Sequence, residues 1–278
     1  MGGARSPPCR MITMPRLALH TWTLDTTPLT DVLRIARSVG WDAIELRRID
    51  FARAASAGRA AEVVLDEVKQ SGLPVACVGV ELGWMGATGD ERRRLLAVFE
   101  ESCRWARSLG CQTVMSPVDK GPAGDVERAI ASLREVGDIA RRHGARLALE
   151  FNALCEHWNT LPRVRDLVRR AAHPGVGLLV DAYHLGKSGA KPEDIDALET
   201  PEIAYVQYSD VPRDPKPGAN TDRLPPGQGT VPFREIFGRI LKKGYGGYMS
   251  YEAPNPAAWA RDPVIVAREA LDATRAQL

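Results

Sequence analysis

Residues 142–150 read RHGARLALE: the polar end of a helical run, one glycine, then a short apolar run closed by an acid. The same phrase returns as SVGWDAIEL (38–46), QSGLPVACV (70–78), SLGCQTVMS (108–116), HPGVGLLVD (173–181) and KKGYGGYMS (242–250). Its glycines, Gly40, Gly72, Gly110, Gly144, Gly175 and Gly244, stand 32, 38, 34, 31 and 69 residues apart, so one unit is hidden in the last, doubled interval. The apolar run Ile203 to Tyr208, introduced by Pro201, fills that place. A glycine after a helix supplies the left-handed residue that ends it, and a short run rich in Val, Ile and Leu reads as a strand buried on both faces. With an opening strand at 17–22, strands are expected near 17–22, 43–47, 74–81, 113–116, 146–150, 177–181, 203–208 and 247–251. Eight units of about 34 residues fit an α/β fold made of a single closed (β/α)8 TIM barrel better than an open doubly wound sheet.

The segments between carry helical period and punctuation. From Asp90 to Leu109, the residues Leu95, Leu96, Phe99, Cys103, Ala106 and Leu109 are spaced for one buried stripe. The runs Gly124 to His143, Leu161 to Ala172, Pro232 to Lys243 and Asp262 to Gln277 behave likewise, and a sixth helix at Pro192 to Leu198 is short. Val211 to Thr230, with five prolines, is too long and too rich in breakers for an ordinary connection, so a long loop after strand 7 is expected to cover the site.

Composition narrows the function. The 278 residues are 26% charged with a net charge of +2 and no block of five like charges, which argues against nucleic-acid and membrane partners. No stretch approaches the roughly 18 apolar residues of a membrane span. Five cysteines, Cys9, Cys77, Cys103, Cys111 and Cys155, lack C-x-x-C spacing and suit reduced core thiols, so a cytoplasmic location is expected. Residues 1–13 lack the apolar run of a signal peptide and read as a flexible tail, with Met14 an alternative start and 14–278 the barrel domain.

Barrel enzymes carry their chemistry at the C-terminal ends of the strands. RLALE closes at Glu150, GLLVD at Asp181, IAYVQ at Gln207 and YMSYE at Glu252. A single acid after a strand is often the cap of the next helix, but glutamate is a poor cap and occurs twice here. Three carboxylates and an amide oxygen on one rim would repel strongly without a cation among them. One divalent cation held by Glu150, Asp181, Gln207 and Glu252 is therefore expected. Oxygen donors suit Mn²⁺ or Mg²⁺, with Co²⁺ or Zn²⁺ as alternatives.

Residues beyond these ends add a substrate surface. Glu156 follows Glu150 by six positions in EFNALCEHWNT, and His184 closes Asp-x-x-His in DAYH. Facing the mouth, an acid and an imidazole could hydrogen-bond a polyhydroxylated ligand. Arg213, in QYSDVPR, suits an anionic group or oxyanion. His20 and Trp22 close the first strand and Trp84 follows the third, and aromatic walls suit the apolar faces of a sugar.

In LALHTW, LALEFNALCEHWNT, VGLLVDAYHLG, IAYVQYSDVPR, RLPPGQG and GYMSYE the chain resembles the xylose-isomerase-like barrel superfamily of sugar isomerases and epimerases, from about Met14 onward. That superfamily includes ketose 3-epimerases, hydroxypyruvate isomerase, inosose dehydratase and 3-dehydroshikimate dehydratase. The resemblance implies metal ligands at Glu150, Asp181, Gln207 and Glu252, catalytic carboxylates at Glu150 and Glu252, and substrate contacts at Glu156, His184 and Arg213. Many ketose epimerases have His at the place of Gln207, whereas the hydroxypyruvate-isomerase-like branch has Gln. Gln228 stands where the family often has Glu.

The chemistry implied is proton abstraction beside the carbonyl of a small polyhydroxylated substrate through a metal-stabilised enediolate, in a homo-oligomeric, metal-dependent isomerase or epimerase. A dehydratase or lyase on the same scaffold and a non-catalytic sugar-binding barrel are the alternatives. An apurinic endonuclease IV type zinc cluster needs many more histidines than the five present.

Overall fold

The computed structural model describes residues 14–120 and 124–278, so the tail expected at 1–13 and Cys9 lie outside the described residues. Among these described residues are eight strands: β1 (Arg16–His20), β2 (Ala43–Leu46), β3 (Val75–Gly79), β4 (Thr113–Pro117), β5 (Arg146–Glu150), β6 (Val176–Asp181), β7 (Ile203–Tyr208) and β8 (Tyr248–Tyr251). They pair in sequence order, all parallel, and β8 pairs with β1 to close the barrel. Helices such as Gly89–Ser108, Val126–Arg142, Leu161–Ala171, Phe233–Lys242 and Pro263–Arg275 lie between them, each within a few residues of its expected span.

Strand periodicity divides the apolar residues into two cores. Leu17, Leu19, Ile44, Leu147, Leu149, Leu178, Val180 and Val206 pack outward beneath the helices. Their alternates Ala18, Ala43, Cys77, Met115, Ala148, Leu179 and Tyr205 form a separate cluster inside the barrel. The inward set is mostly small. Cys77, Cys103, Cys111 and Cys155 are all buried free thiols. No helix among the described residues is long and apolar enough to cross a membrane.

The recurring glycine has more than one task. Gly40 takes φ 98° and ends the helix Leu29–Val39 through its N–H on the Ala36 carbonyl. In the copy around Gly175 the left-handed residue is Ala172, at φ 47°. Gly175 is needed there because a Cβ would collide with the Gly137 carbonyl.

Two connections differ from expectation, and both changes arise from strand-end side chains. Strand β1 stops at His20 rather than Trp22, because His20 Nδ1 accepts from Trp22 N at 3.0 Å and folds residues Thr21–Leu24 into a 3₁₀ turn. After β6, Asp181 Oδ1 accepts from Tyr183 N at 2.9 Å and starts a short helix, Ala182–Lys187, which carries His184. The short helix expected at Pro192 to Leu198 is reduced to a 3₁₀ turn, Pro192–Ile195.

The long segment after β7 is tied by one buried carboxylate. Asp210 Oδ1 accepts from Val211 N and Val231 N, both at 2.9 Å, and Oδ2 from Gly227 N and Gly229 N at 2.9 and 2.7 Å. Its backbone pairs in both directions with Leu224, at 2.7 and 3.0 Å. The two ends of the loop are thus gathered on one side chain, which fixes Arg223, beside Leu224, over the barrel mouth. Asp210→Ala leaves four backbone N–H groups without their acceptor, and the expected loss of stability is at least about 2 kcal/mol. Chemical denaturation measures it, and limited proteolysis should cut faster within 211–230. Unchanged stability and cleavage would contradict the clamp.

Candidate active site

The inward alternation that fills the barrel with alanines continues upward into polar residues. Above Ala18, Ala43, Ala148, Leu179 and Tyr205 come His20, Glu45, Glu150, Asp181 and Gln207, each two positions on. All five are buried, as is Glu252 one residue past β8. Register brings Asp181 beside Gln207 and His20 beside Glu45. Glu252 is held by its N–H on the Tyr208 carbonyl, at 3.1 Å. Glu150, Asp181, Gln207 and Glu252 thus share one rim with His20.

His184 approaches from above. Its Nε2 lies 3.6 Å from Glu150 Oε1 and 3.8 Å from Asp181 Oδ2, and one ligand atom from each of these three residues falls within 4.8 Å of the others. Its Nδ1 accepts from Ala153 N at 3.4 Å, which puts the ring proton on Nε2, facing the carboxylates. In that tautomer Nε2 carries a hydrogen and has no lone pair free for a metal, and it lies too far from both carboxylates for a hydrogen bond.

Among the described residues, the cation within this cluster of acids is Arg223. Its guanidinium donates to Glu252 Oε2 at 2.7 Å, to Asp181 Oδ2 at 3.2 Å and to Asn220 Oδ1 at 3.0 Å, and it lies 4.2 Å from the Tyr183 ring centroid. Arg213 is exposed on the same loop, ten positions earlier. Glu156 is likewise exposed, on the turn after β5, while Trp22 is half-buried with its carbonyl accepting from Trp259 Nε1. Trp84 is fully buried and bonded to Ser116 Oγ at 3.0 Å, so it packs the core instead of walling the mouth.

Arg223 and Glu45 were not singled out in the sequence. Arg223 stands in RLPPGQG, where nothing local marks which basic residue of the loop turns inward. Glu45 does have a signal: a charged residue at an inward position of the apolar run AIEL, one place before the run closes.

Burial and charge set the protonation of the group. Burial, reinforced by Asp181 and Glu252, pushes Glu150 well above the ordinary carboxylate range. Burial raises Asp181 to about 6, although Arg223 opposes it. Burial would raise Glu252 too, but Arg223 and His20 outweigh it and hold Glu252 below its usual value. Glu45 is pushed up to about 8 by burial and then Glu252, and burial lowers His20 to about 4. One arginine therefore balances Asp181 and Glu252 and leaves Glu150 without a counter-charge.

The donor set fits a divalent cation on a second count. Glu150 Oε1 and Gln207 Oε1 are buried with no hydrogen-bond partner, and a buried oxygen of this kind is costly unless something takes its lone pairs. Asp181 spends Oδ1 on its helix cap and keeps Oδ2 for the rim, so capping and site roles coexist in one side chain.

The chain matches a family model described as xylose isomerase-like TIM barrel over residues 33–277. A 3-dehydroshikimate dehydratase of Pseudomonas putida is 27% identical over 232 residues, 82% of this chain and 36% of the relative. The chain therefore spans about a third of that relative's length. An inosose isomerase of Bacillus velezensis is 23% identical over 263 residues, 90% of this chain and 93% of the relative. The crystal structure of IOLI protein with a binding zinc atom superposes with a TM-score of 0.82 at 19% identity, covering 94% of this chain and 96% of that one, a likeness of fold.

Removing Arg223 isolates its electrostatic part. In the metal-free chain, Arg223→Met leaves Asp181 and Glu252 buried without a cation, with an expected cost of about 3–5 kcal/mol. Added Mn²⁺ should recover more stability in the variant than in wild type, read as the shift in Tm. Equal Tm values for the two metal-free proteins would contradict this role.

Proposed function

We propose, because this chain belongs to the xylose isomerase-like TIM barrel family, that it is a divalent-metal-dependent isomerase or epimerase acting on a small polyhydroxylated substrate beside its carbonyl. The observation that carries this reading is the pair of unpartnered buried oxygens, Glu150 Oε1 and Gln207 Oε1, on a rim shared with Asp181 and Glu252. Glu150, Asp181, Gln207 and Glu252 would hold the cation. Oxygen donors favour Mn²⁺ or Mg²⁺, and Co²⁺ or Zn²⁺ are compatible with the amide. When bound, the ion acts as a Lewis acid on neighbouring hydroxyl and carbonyl oxygens and lowers the acidity barrier of the C–H between them.

The chain's residues do the rest. Glu252, kept ionised by Arg223, is the base for the C–H proton. Glu150, three strands away around the barrel, is the partner that returns a proton from the other side. Arg223 is placed to steady negative charge developing on a substrate oxygen, and His184 presents its Nε2–H at the rim, where a substrate oxygen can accept it. Small polyhydroxylated carbonyl compounds are the substrate class these groups suit. A homo-oligomeric, cytoplasmic enzyme belongs to the same proposal.

The likeness to a 3-dehydroshikimate dehydratase favours a second reading, elimination of a β-hydroxyl after the same proton abstraction. The leaving hydroxyl then needs a proton, for which His184 at the rim and Glu156 on the turn above it are the candidates.

NMR in D₂O, with Mn²⁺-supplied protein and a panel of ketoses, inososes and β-hydroxylated keto acids, separates these readings, because isomerisation, epimerisation and elimination give different products. Glu252→Gln keeps an oxygen donor and the side-chain volume but cannot take a proton. Solvent deuterium exchange at the substrate carbon should fall by about 10² or more. Exchange at the wild-type rate would rule Glu252 out as the base.

A further inference from the structure

Glu45 lies in the barrel wall with the rim residues, fully buried on β2, and the proton transfers above leave it without a task. Two donors converge on it. Gln207 Nε2 reaches Oε1 at 2.8 Å, and the Tyr205 hydroxyl reaches Oε2 at 3.1 Å. A primary amide has a donating end and an accepting end, so whatever takes its N–H decides where its oxygen points. At residue 207 that oxygen is buried and unpartnered, as is Glu150 Oε1 across the same rim. A carboxyl oxygen accepts from N–H in both its ionised and its neutral form, so this bond does not depend on the charge of Glu45.

We infer that Glu45 is a positioning residue: by accepting from Gln207 Nε2 it turns Gln207 Oε1 toward the cation site and makes a neutral amide a ligand. The physical need is specific to glutamine. Rotated by half a turn, the same side chain would present two N–H hydrogens to a cation, which repel it, whereas a carboxylate at this place offers oxygen either way round. Tyr205, two residues before Gln207 on the same inward row, holds the second Glu45 oxygen and keeps the carboxyl from rotating. The inference rests on the metal-site reading above.

The test measures Mn²⁺ affinity of the full chain by calorimetry, with no substrate present. Glu45→Leu removes the acceptor and should weaken binding by about tenfold to a hundredfold, the usual range for a residue that orients a ligand. Glu45→Met serves if the branched side chain prevents folding. Glu45→Gln can offer its carbonyl to Gln207 and its NH₂ to the Tyr205 oxygen, and should stay within about threefold of wild type. The double variant Glu45→Leu/Gln207→Glu should bind as tightly as Gln207→Glu alone, because orientation no longer matters; a purely structural role for Glu45 would leave it as far below Gln207→Glu as Glu45→Leu lies below wild type. Wild-type affinity in Glu45→Leu or Glu45→Met, or the same loss on the Gln207→Glu background, overturns the inference while the metal site stands. Failure of the wild-type chain to bind Mn²⁺ overturns both.

Discussion

Buried negative charge at one end of the barrel is the constraint that organises this molecule. Glu45, Glu150, Asp181 and Glu252 are all removed from water, where an uncompensated carboxylate is expensive, and each is accommodated differently. Burial raises Glu45 and Glu150 toward their neutral forms, while Asp181 and Glu252 share Arg223. Arg223 in turn depends on a loop closed by Asp210, a fifth buried acid, whose charge is spread over four backbone N–H groups. Remove the acids and neither the loop nor the arginine has a reason to be where it is.

The barrel supplies the frame with little waste. The inward residues fill the interior, and the two-residue alternation that makes the core also delivers the polar row at the strand ends. The outward residues, large and branched, fasten the helices. The outward face of each strand therefore packs while the end of its inward face carries the polar rim, so the rim side chains need no separate scaffold.

Much of this was legible in the chain itself. The glycine-apolar phrase located six of the strands to within a few residues, its doubled interval pointed to β7, and asking what closes each apolar run picked out Glu150, Asp181, Gln207 and Glu252, which the fold gathers on one buried rim. What escaped has physical causes. Glu45 is not the last residue of its run, so a search confined to strand ends passes over it, although inward parity marks it. Arg223 reaches the rim only because Asp210 folds the segment after β7, a tertiary arrangement that no local pattern encodes. Gly175 fits the recurring phrase but answers a steric demand from Gly137, while Ala172 takes the left-handed turn.

The role given to the rim turns on a single divalent cation, and anomalous diffraction from a Mn²⁺-soaked crystal addresses it directly. One strong peak per chain is expected within roughly 2.0–2.4 Å of oxygens from Glu150, Asp181, Gln207 and Glu252, distances typical of hard cations. Arg223 should be withdrawn from at least one of Asp181 and Glu252. No peak at the rim, or a peak held by other side chains while Arg223 keeps both its carboxylates, would contradict it.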